Sequence, residues 1–160
     1  MSLSIGDIAP DFKLRDETGT WRSLNEFRGN KVALYFYPKD DTPGCTKQAC
    51  SLRDGYEDLQ KANIIVLGIS YDTPESHQKF IEKYALPFPL LSDEEKSVAK
   101  NYGSSWGILG NSIIKRQTYL LDEEGKILHI LKNVNVSKHA QEIIFAFEKA
   151  VQDSESESPR

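Results

Sequence analysis

The chain is predicted to be a single α/β domain with a central mixed sheet flanked by helices and a hairpin extension at its N-terminus. Three patterns predict this. Val32-Ala33-Leu34-Tyr35-Phe36-Tyr37 and Ile64-Ile65-Val66-Leu67-Gly68-Ile69 are unbroken apolar runs of strand length, as for strands covered on both faces. Between them lies a stretch of helical periodicity reaching Leu59, which makes a β-α-β unit. Near the C-terminus, two apolar runs flank an acidic turn ending in glycine, the mark of an antiparallel hairpin.

The elements follow in order. Phe12, Leu14 and Trp21 alternate with polar residues around Glu17-Thr18-Gly19, which predicts a short hairpin, and Leu24 to Arg28 reads as a helical turn stopped by Gly29. After the first long strand, the loop Pro38-Lys39-Asp40-Asp41 leads into the helix, and the second strand follows it. Asp72-Thr73-Pro74-Glu75 reads as the cap and first turn of a helix to about Tyr84, and Asp93 as the cap of a shorter one from near Glu94. Gln117 to Leu121 and Lys126 to Leu131 form the C-terminal hairpin around Asp122-Glu123-Glu124-Gly125, and an amphipathic helix spans Ser137 to Val151. The domain is expected to cover residues 1–152; residues 153–160, polar and without apolar anchors, should form a disordered acidic and serine-rich tail. This element order is that of the thioredoxin-like architecture, although order alone does not establish function.

Composition narrows the function classes. With 160 residues the chain can bury a core without metal or disulfide staples, and 28% charged against 39% hydrophobic residues is the balance of a globular protein. A net charge of -4 argues against general attraction to nucleic acid or to anionic membrane surfaces, which both demand clustered positive charge. The N-terminal MSLSIGDIAPDF carries neither a basic start nor a long apolar run, so the expected location is a reducing cytoplasm. In such a compartment two cysteines are more often catalytic or metal-binding than structural.

The cysteines lie in the segment running from the first long strand into the helix, Tyr37-Pro38-Lys39-Asp40-Asp41-Thr42-Pro43-Gly44-Cys45-Thr46, with Cys50 five residues beyond Cys45. Thr42 is a natural N-cap and Pro43 a natural first helical residue, which places Cys45 in the first turn. Backbone N-H groups there lack helical partners and the helix dipole is positive, so an anion is favoured over a neutral group. On an undistorted helix, Cα atoms five residues apart are about 8.7 Å distant and face different ways. A disulfide needs less than about 7 Å. A bridge between Cys45 and Cys50 therefore demands that about Pro43 to Leu52 unwind. Zinc is a poor alternative, because C-x4-C is not its usual spacing and the three histidines are scattered. Neither metal nor cofactor is expected.

Tyr37-Pro38-Lys39-Asp40, Thr42-Pro43-Gly44-Cys45-Thr46, Ala49-Cys50 and Arg53-Asp54 together resemble the peroxiredoxins, specifically the subfamily of bacterioferritin comigratory protein or peroxiredoxin Q. The likeness extends from Gly6-Asp7-Ile8-Ala9-Pro10-Asp11-Phe12 to the terminal helix. It implies a thiol-dependent peroxidase acting on hydrogen peroxide and organic hydroperoxides, with Cys45 peroxidatic, Cys50 resolving through an intramolecular disulfide, and recycling by thioredoxin or a similar dithiol. It further implies that Thr42 and Pro43 belong to the peroxide pocket. Arg116-Gln117-Thr118-Tyr119-Leu120-Leu121-Asp122 resembles the segment whose arginine leans over the peroxidatic sulfur. Arg116 is preferred to Lys115 because a forked guanidinium can hold two atoms together, which a point-charge ammonium does less well.

A thiol pKa lowered from about 8.5 to about 6 raises the thiolate share at pH 7 roughly 30-fold. The accompanying loss of nucleophilicity is about 10-fold at a Brønsted slope of 0.4 to 0.5. The net gain is only a few-fold, so most of the acceleration must come from groups that align the peroxide and stabilise the leaving oxygen. The Thr42 hydroxyl and the backbone N-H of Gly44 or Cys45 are the local candidates. Two other readings stand beside this one: a thiol-disulfide oxidoreductase, disfavoured by the absence of C-x-x-C, and a redox-sensing holdase. With both cysteines in one helix, a monomer is expected. Trp106 and His129 read as packed side chains, Asp40 and Asp41 as solvated carboxylates, and residues 102–112 as a loop of unassigned role.

Overall fold

The computed structural model describes residues 3–107 and 112–157, without the side chains of 154–157. Strands β1 (Lys13–Arg15) and β2 (Trp21–Ser23) form the N-terminal hairpin, followed by a 3-10 turn (Leu24–Phe27) and β3 (Lys31–Phe36). Helices α1 (Pro43–Asp54) and α2 (Tyr56–Lys61) lead to β4 (Ile64–Ser70), then α3 (Pro74–Tyr84), β5 (Leu90–Ser92) and α4 (Ser97–Tyr102). A two-stranded ribbon, β6 (Ser105–Trp106) with β7 (Ile113–Ile114), precedes β8 (Gln117–Leu121), β9 (Ile127–Leu131) and the terminal helix α5 (His139–Glu157).

Seven strands make one mixed sheet in the order β2-β1-β5-β4-β3-β8-β9. β3 lies at its interior, parallel to β4 and antiparallel to β8. Because side chains alternate along a strand, β3 supplies both faces. Val32, Leu34 and Phe36 enter a core with the N-terminal hairpin and α4, while Ala33, Tyr35 and Tyr37 enter a second core with α1, α2, α3 and α5. The unbroken apolar run is thus a strand covered twice, as the thioredoxin-like reading requires. Among the described residues, no helix is long and apolar enough to cross a membrane.

The structure departs from the sequence reading in several places. The helix read as continuous to Leu59 breaks at Gly55, where α5 comes so close that a Cβ would sit 2.4 Å from the Ala140 methyl. β5 escapes a periodicity reading because it is only three residues long; all three pair with β4, and Ser92 alone pairs with β1. Asp93 does receive backbone N-H groups, from Val98 at 3.2 Å and Ala99 at 2.8 Å, but the helix it serves begins at Ser97. Trp106, read as packed, is 67% exposed on the β6–β7 ribbon, with Ile113 opposite and also exposed. Helix α5 continues to Glu157 through part of the stretch read as tail; residues 158–160 and 108–111 lie outside the described residues.

At the α5 N-terminus, fully buried His139 pairs through Nε2 with the Thr118 hydroxyl (2.8 Å) and through Nδ1 with the Glu142 carboxylate (2.9 Å). Burial pushes its pKa below the ordinary 6.5, and Glu142 opposes this only in part. The unfolded chain then takes up the proton first, so stability is full above the unfolded value and declines as pH falls below it. Urea unfolding between pH 7.5 and 5 should show this decline, and His139→Gln should flatten it. Gly55→Ala should cost about 1 to 3 kcal/mol by overpacking, measured the same way, with Ala140→Gly restoring part of the loss.

Candidate active site

β3 delivers the chain, through Tyr37, to the loop 38–42 and the N-terminus of α1, beyond the carboxyl end of an interior parallel strand. Ligand sites of open parallel sheets form at such ends. The loop is held from beneath by a buried network. The Asp40 carboxylate accepts hydrogen bonds from the Tyr37 hydroxyl (2.5 Å) and the Ser76 hydroxyl (2.8 Å) and lies 2.8 Å from Nδ1 of fully buried His77. Its backbone N-H donates to Asp72 (2.8 Å), while His77 Nε2 meets the Leu91 carbonyl at 3.0 Å. Asp40 is thus buried, contrary to the solvated role expected from sequence, because α3 and β3 converge on it. Its neighbour Asp41 is exposed and left-handed, with φ of 54°, and receives Lys83 and Tyr84, each at 2.8 Å.

Thr42 occupies the N-cap and Pro43 the first turn, as the motif predicts. The Thr42 hydroxyl, however, donates to the Lys39 carbonyl (2.9 Å) rather than capping the helix. Its hydrogen is spent, and its oxygen remains an acceptor. Cys45 lies in the first turn with only 2% of its surface exposed, whereas Thr42 and Gly44 are half-buried and Pro43 is exposed. The first-turn N-H groups of α1 give this sulfur a positive local field.

Arg116, from the segment joining β7 to β8, points Nη2 at the Cys45 sulfur at 3.2 Å and Nη1 at Gln48 Oε1 at 2.5 Å. A Cβ on Gly44 would lie 3.1 Å from Arg116 Nη2, so the glycine leaves the space that the guanidinium needs. Behind Arg116, Ser104 bonds both Gln117 (2.7 Å) and the Tyr119 hydroxyl (3.0 Å), bracing β8. The structure therefore brings Thr42, Pro43, Gly44, Cys45 and Arg116 into one locality. Cys50 is half-buried further along the same continuous helix, and both thiols are free. Gln48 was not singled out from sequence, yet its place three residues after Cys45 puts it on the same helix face. No local signal links Asp40 to His77, which stands 37 residues away.

Asp40, Asp72 and His77 are the cluster among the described residues whose donor atoms, all within 4.8 Å, have metal-ligand chemistry. Those atoms already accept from Tyr37, Ser70, Ser76 and the Asp40 backbone or face one another. The cluster is a hydrogen-bonded anchor for the loop, not a metal centre.

The sheet order, the cysteine at a helix N-terminus and the arginine facing it define a thioredoxin-fold thiol protein. A profile described as the AhpC/TSA family matches residues 5–130, most of the chain. The chain is 46% identical over 149 residues to a putative peroxiredoxin bcp of Coxiella burnetii, spanning 90% of this chain and 98% of that protein. It is 50% identical over 131 residues to a chloroplastic peroxiredoxin Q of Oryza sativa subsp. japonica, covering 82% of this chain but 60% of that longer one. Among solved structures, peroxidoxin BcpB from Mycobacterium tuberculosis superposes with a TM-score of 0.86 at 35% identity, covering 92% of this chain and 97% of that one. The bacterioferritin comigratory protein of Xanthomonas campestris, solved in trapped intermediate and ligand complexes that bear on its alkyl peroxide reduction, superposes with a TM-score of 0.79 at 30% identity, covering 86% and 90%. The chain therefore belongs to the AhpC/TSA family, and its relatives within it are the Bcp and peroxiredoxin Q proteins.

Gln48 carries no charge of its own and acts on Cys45 only by orienting Arg116. Gln48→Ala should lower the second-order rate of Cys45 oxidation by hydrogen peroxide about 10-fold, the size of one hydrogen bond to a charged group, in stopped-flow measurements.

Proposed function

We propose that the chain is a thiol-dependent peroxidase in which Cys45 attacks a hydroperoxide and Cys50 resolves the product. The observation that carries this reading is the Arg116 guanidinium set 3.2 Å from a sulfur in the first turn of α1. In the first step an S-O bond forms as the O-O bond breaks. Sulfur loses two electrons, and the departing alkoxide or hydroxide takes a proton, leaving Cys45 as a sulfenic acid. The peroxide's own O-H needs an acceptor. Thr42 suits it, because the Thr42 hydrogen is engaged by Lys39 and its oxygen is free to accept. Arg116 and the first-turn N-H groups of Gly44 and Cys45 are donors to the two peroxide oxygens, with Pro43 beside them keeping water from the sulfur.

Hydrogen peroxide and organic hydroperoxides are the substrates, a reading supported by the alkyl peroxide reduction of the Xanthomonas relative. Cys50 then attacks the sulfenic sulfur, a disulfide forms and water leaves. This requires α1 to unwind over about Pro43 to Leu52, since an intact helix holds the cysteines apart. Oxidation favours the unwinding. A sulfenic acid is neutral, so the attraction between sulfur and Arg116 that ties α1 down is lost. A thioredoxin-like dithiol restores both thiols and is itself oxidised to a disulfide, which places the cycle in a reducing compartment such as the cytoplasm. Resolution within one helix needs no partner subunit, so the working unit is a monomer.

Peroxide consumption coupled to thioredoxin and its reductase tests the assignment. Cys45→Ser should abolish turnover. Cys50→Ser should consume one equivalent of peroxide per chain and leave a sulfenic acid that dimedone traps on Cys45. Multiple turnovers without Cys45 would overturn the reading.

A further inference from the structure

One short stretch at the end of α3 touches the chain on both sides of the segment that must unwind. Lys83 Nζ and the Tyr84 hydroxyl grip the two carboxylate oxygens of Asp41, each at 2.8 Å. The Tyr84 carbonyl, one of the last of α3, accepts Arg53 Nη1 at 2.7 Å. A cation on the terminal carbonyls of a helix is a favourable, charge-assisted contact. Asp41 immediately precedes the helix cap Thr42, and Arg53 immediately follows Leu52. Inside the segment, Cys45, Ala49 and Leu52 pack in the core, the His139 backbone N-H reaches the Ser51 hydroxyl at 3.4 Å, and Arg116 supplies the charged contacts. Arg116 to Cys45 and Arg116 to Gln48 depend on the helix itself and disappear when it unwinds.

We infer that Lys83 and Tyr84 form a clamp that makes the redox-coupled unwinding of α1 a fixed-end event, confined to residues 42–52. This inference rests on the peroxidase reading above. Chain lengths permit it: the twelve residues of α1 span about 18 Å as a helix, while eleven residues drawn out reach about 36 Å. The segment has ample slack to bring Cys45 to Cys50 while Asp41 and Arg53 stay in place. Two further anchors support fixed ends. Asp40 is locked into the buried network with Ser76 and His77 of α3, and Gly55 is wedged against Ala140.

The clamp has a chemical consequence. Fixed ends restrict the unwound chain and favour return to the helix, so the clamp opposes disulfide closure while keeping the peroxide site assembled. A sulfenic acid that waits can meet a second hydroperoxide, which adds another oxygen to sulfur and releases an alcohol or water, giving the irreversible sulfinic acid. The grip on Asp41 thus sets how oxidised Cys45 divides between disulfide and sulfinic acid.

The test is mass spectrometry of the two products after a peroxide pulse, in the full chain and in a Lys83→Met/Tyr84→Phe variant, together with hydrogen exchange of reduced and disulfide forms. Weakening an exposed ion pair should raise the disulfide-to-sulfinic ratio about two- to five-fold. In the unsubstituted protein, disulfide formation should expose amides of 43–52 while 37–41 and 56–61 keep the protection of the reduced form. An unchanged or lower ratio, or lost protection at 37–41, would overturn the clamp. Failure of the peroxidase reading itself would look different: Cys45 in the Cys50→Ser background would not be oxidised by the pulse.

Discussion

A cation 3.2 Å from a sulfur that is nearly closed to water is the interaction on which the rest depends. An anion removed from water is costly unless something replaces its hydration. Groups able to supply that replacement flank Cys45 from two directions: the first-turn N-H groups of α1 below, and Arg116 from the sheet side. Neither is free-standing. Arg116 is oriented by Gln48 and immediately precedes a strand braced through Ser104 and Tyr119, and Gly44 leaves it room to approach. The same guanidinium, by bonding two residues one helical turn apart, also holds α1 in its wound form.

That dual role creates the tension in the site. Attack on a hydroperoxide calls for a rigid, intact first turn, whereas closing a bridge to a cysteine five residues on calls for its loss. Under the proposed cycle, the fold separates the parts that stay from the part that changes. The loop before α1 is bound to α3 through Asp40 and Asp41, and the end of α1 to α3 through Arg53 and to α5 through Gly55, while the intervening turns pack Cys45, Ala49 and Leu52 in the core and meet Arg116 through a charge-dependent contact. Under the proposed cycle, the loss of negative charge at sulfur weakens the one tie that redox chemistry can reach.

Much of this was readable along the chain because it is local. The two buried strands, the hairpins at either end, the Thr42-Pro43 helix start and the position of Cys45 each follow from a few neighbouring residues. Gln48 could have been read too, since its spacing from Cys45 is one helical turn. The misreadings share a different cause. Asp40 looks like an ordinary loop carboxylate until α3 is folded against it, and the break at Gly55 is set by Ala140 in a distant helix. Trp106 is apolar by composition and exposed by its place on a short ribbon.

By itself the amino-acid order determined which residue is the nucleophile candidate, where its helix begins and why an anion is favoured there, because cap, proline and periodicity act within a few residues of one another. It also determined that the two cysteines cannot meet on an intact helix, a matter of rise and rotation alone. Tertiary structure decided what stands opposite the sulfur and what holds the ends of its helix. Those contacts join residues 31 to 71 positions apart, and no local pattern encodes which of several arginines, carboxylates or histidines the fold will bring together.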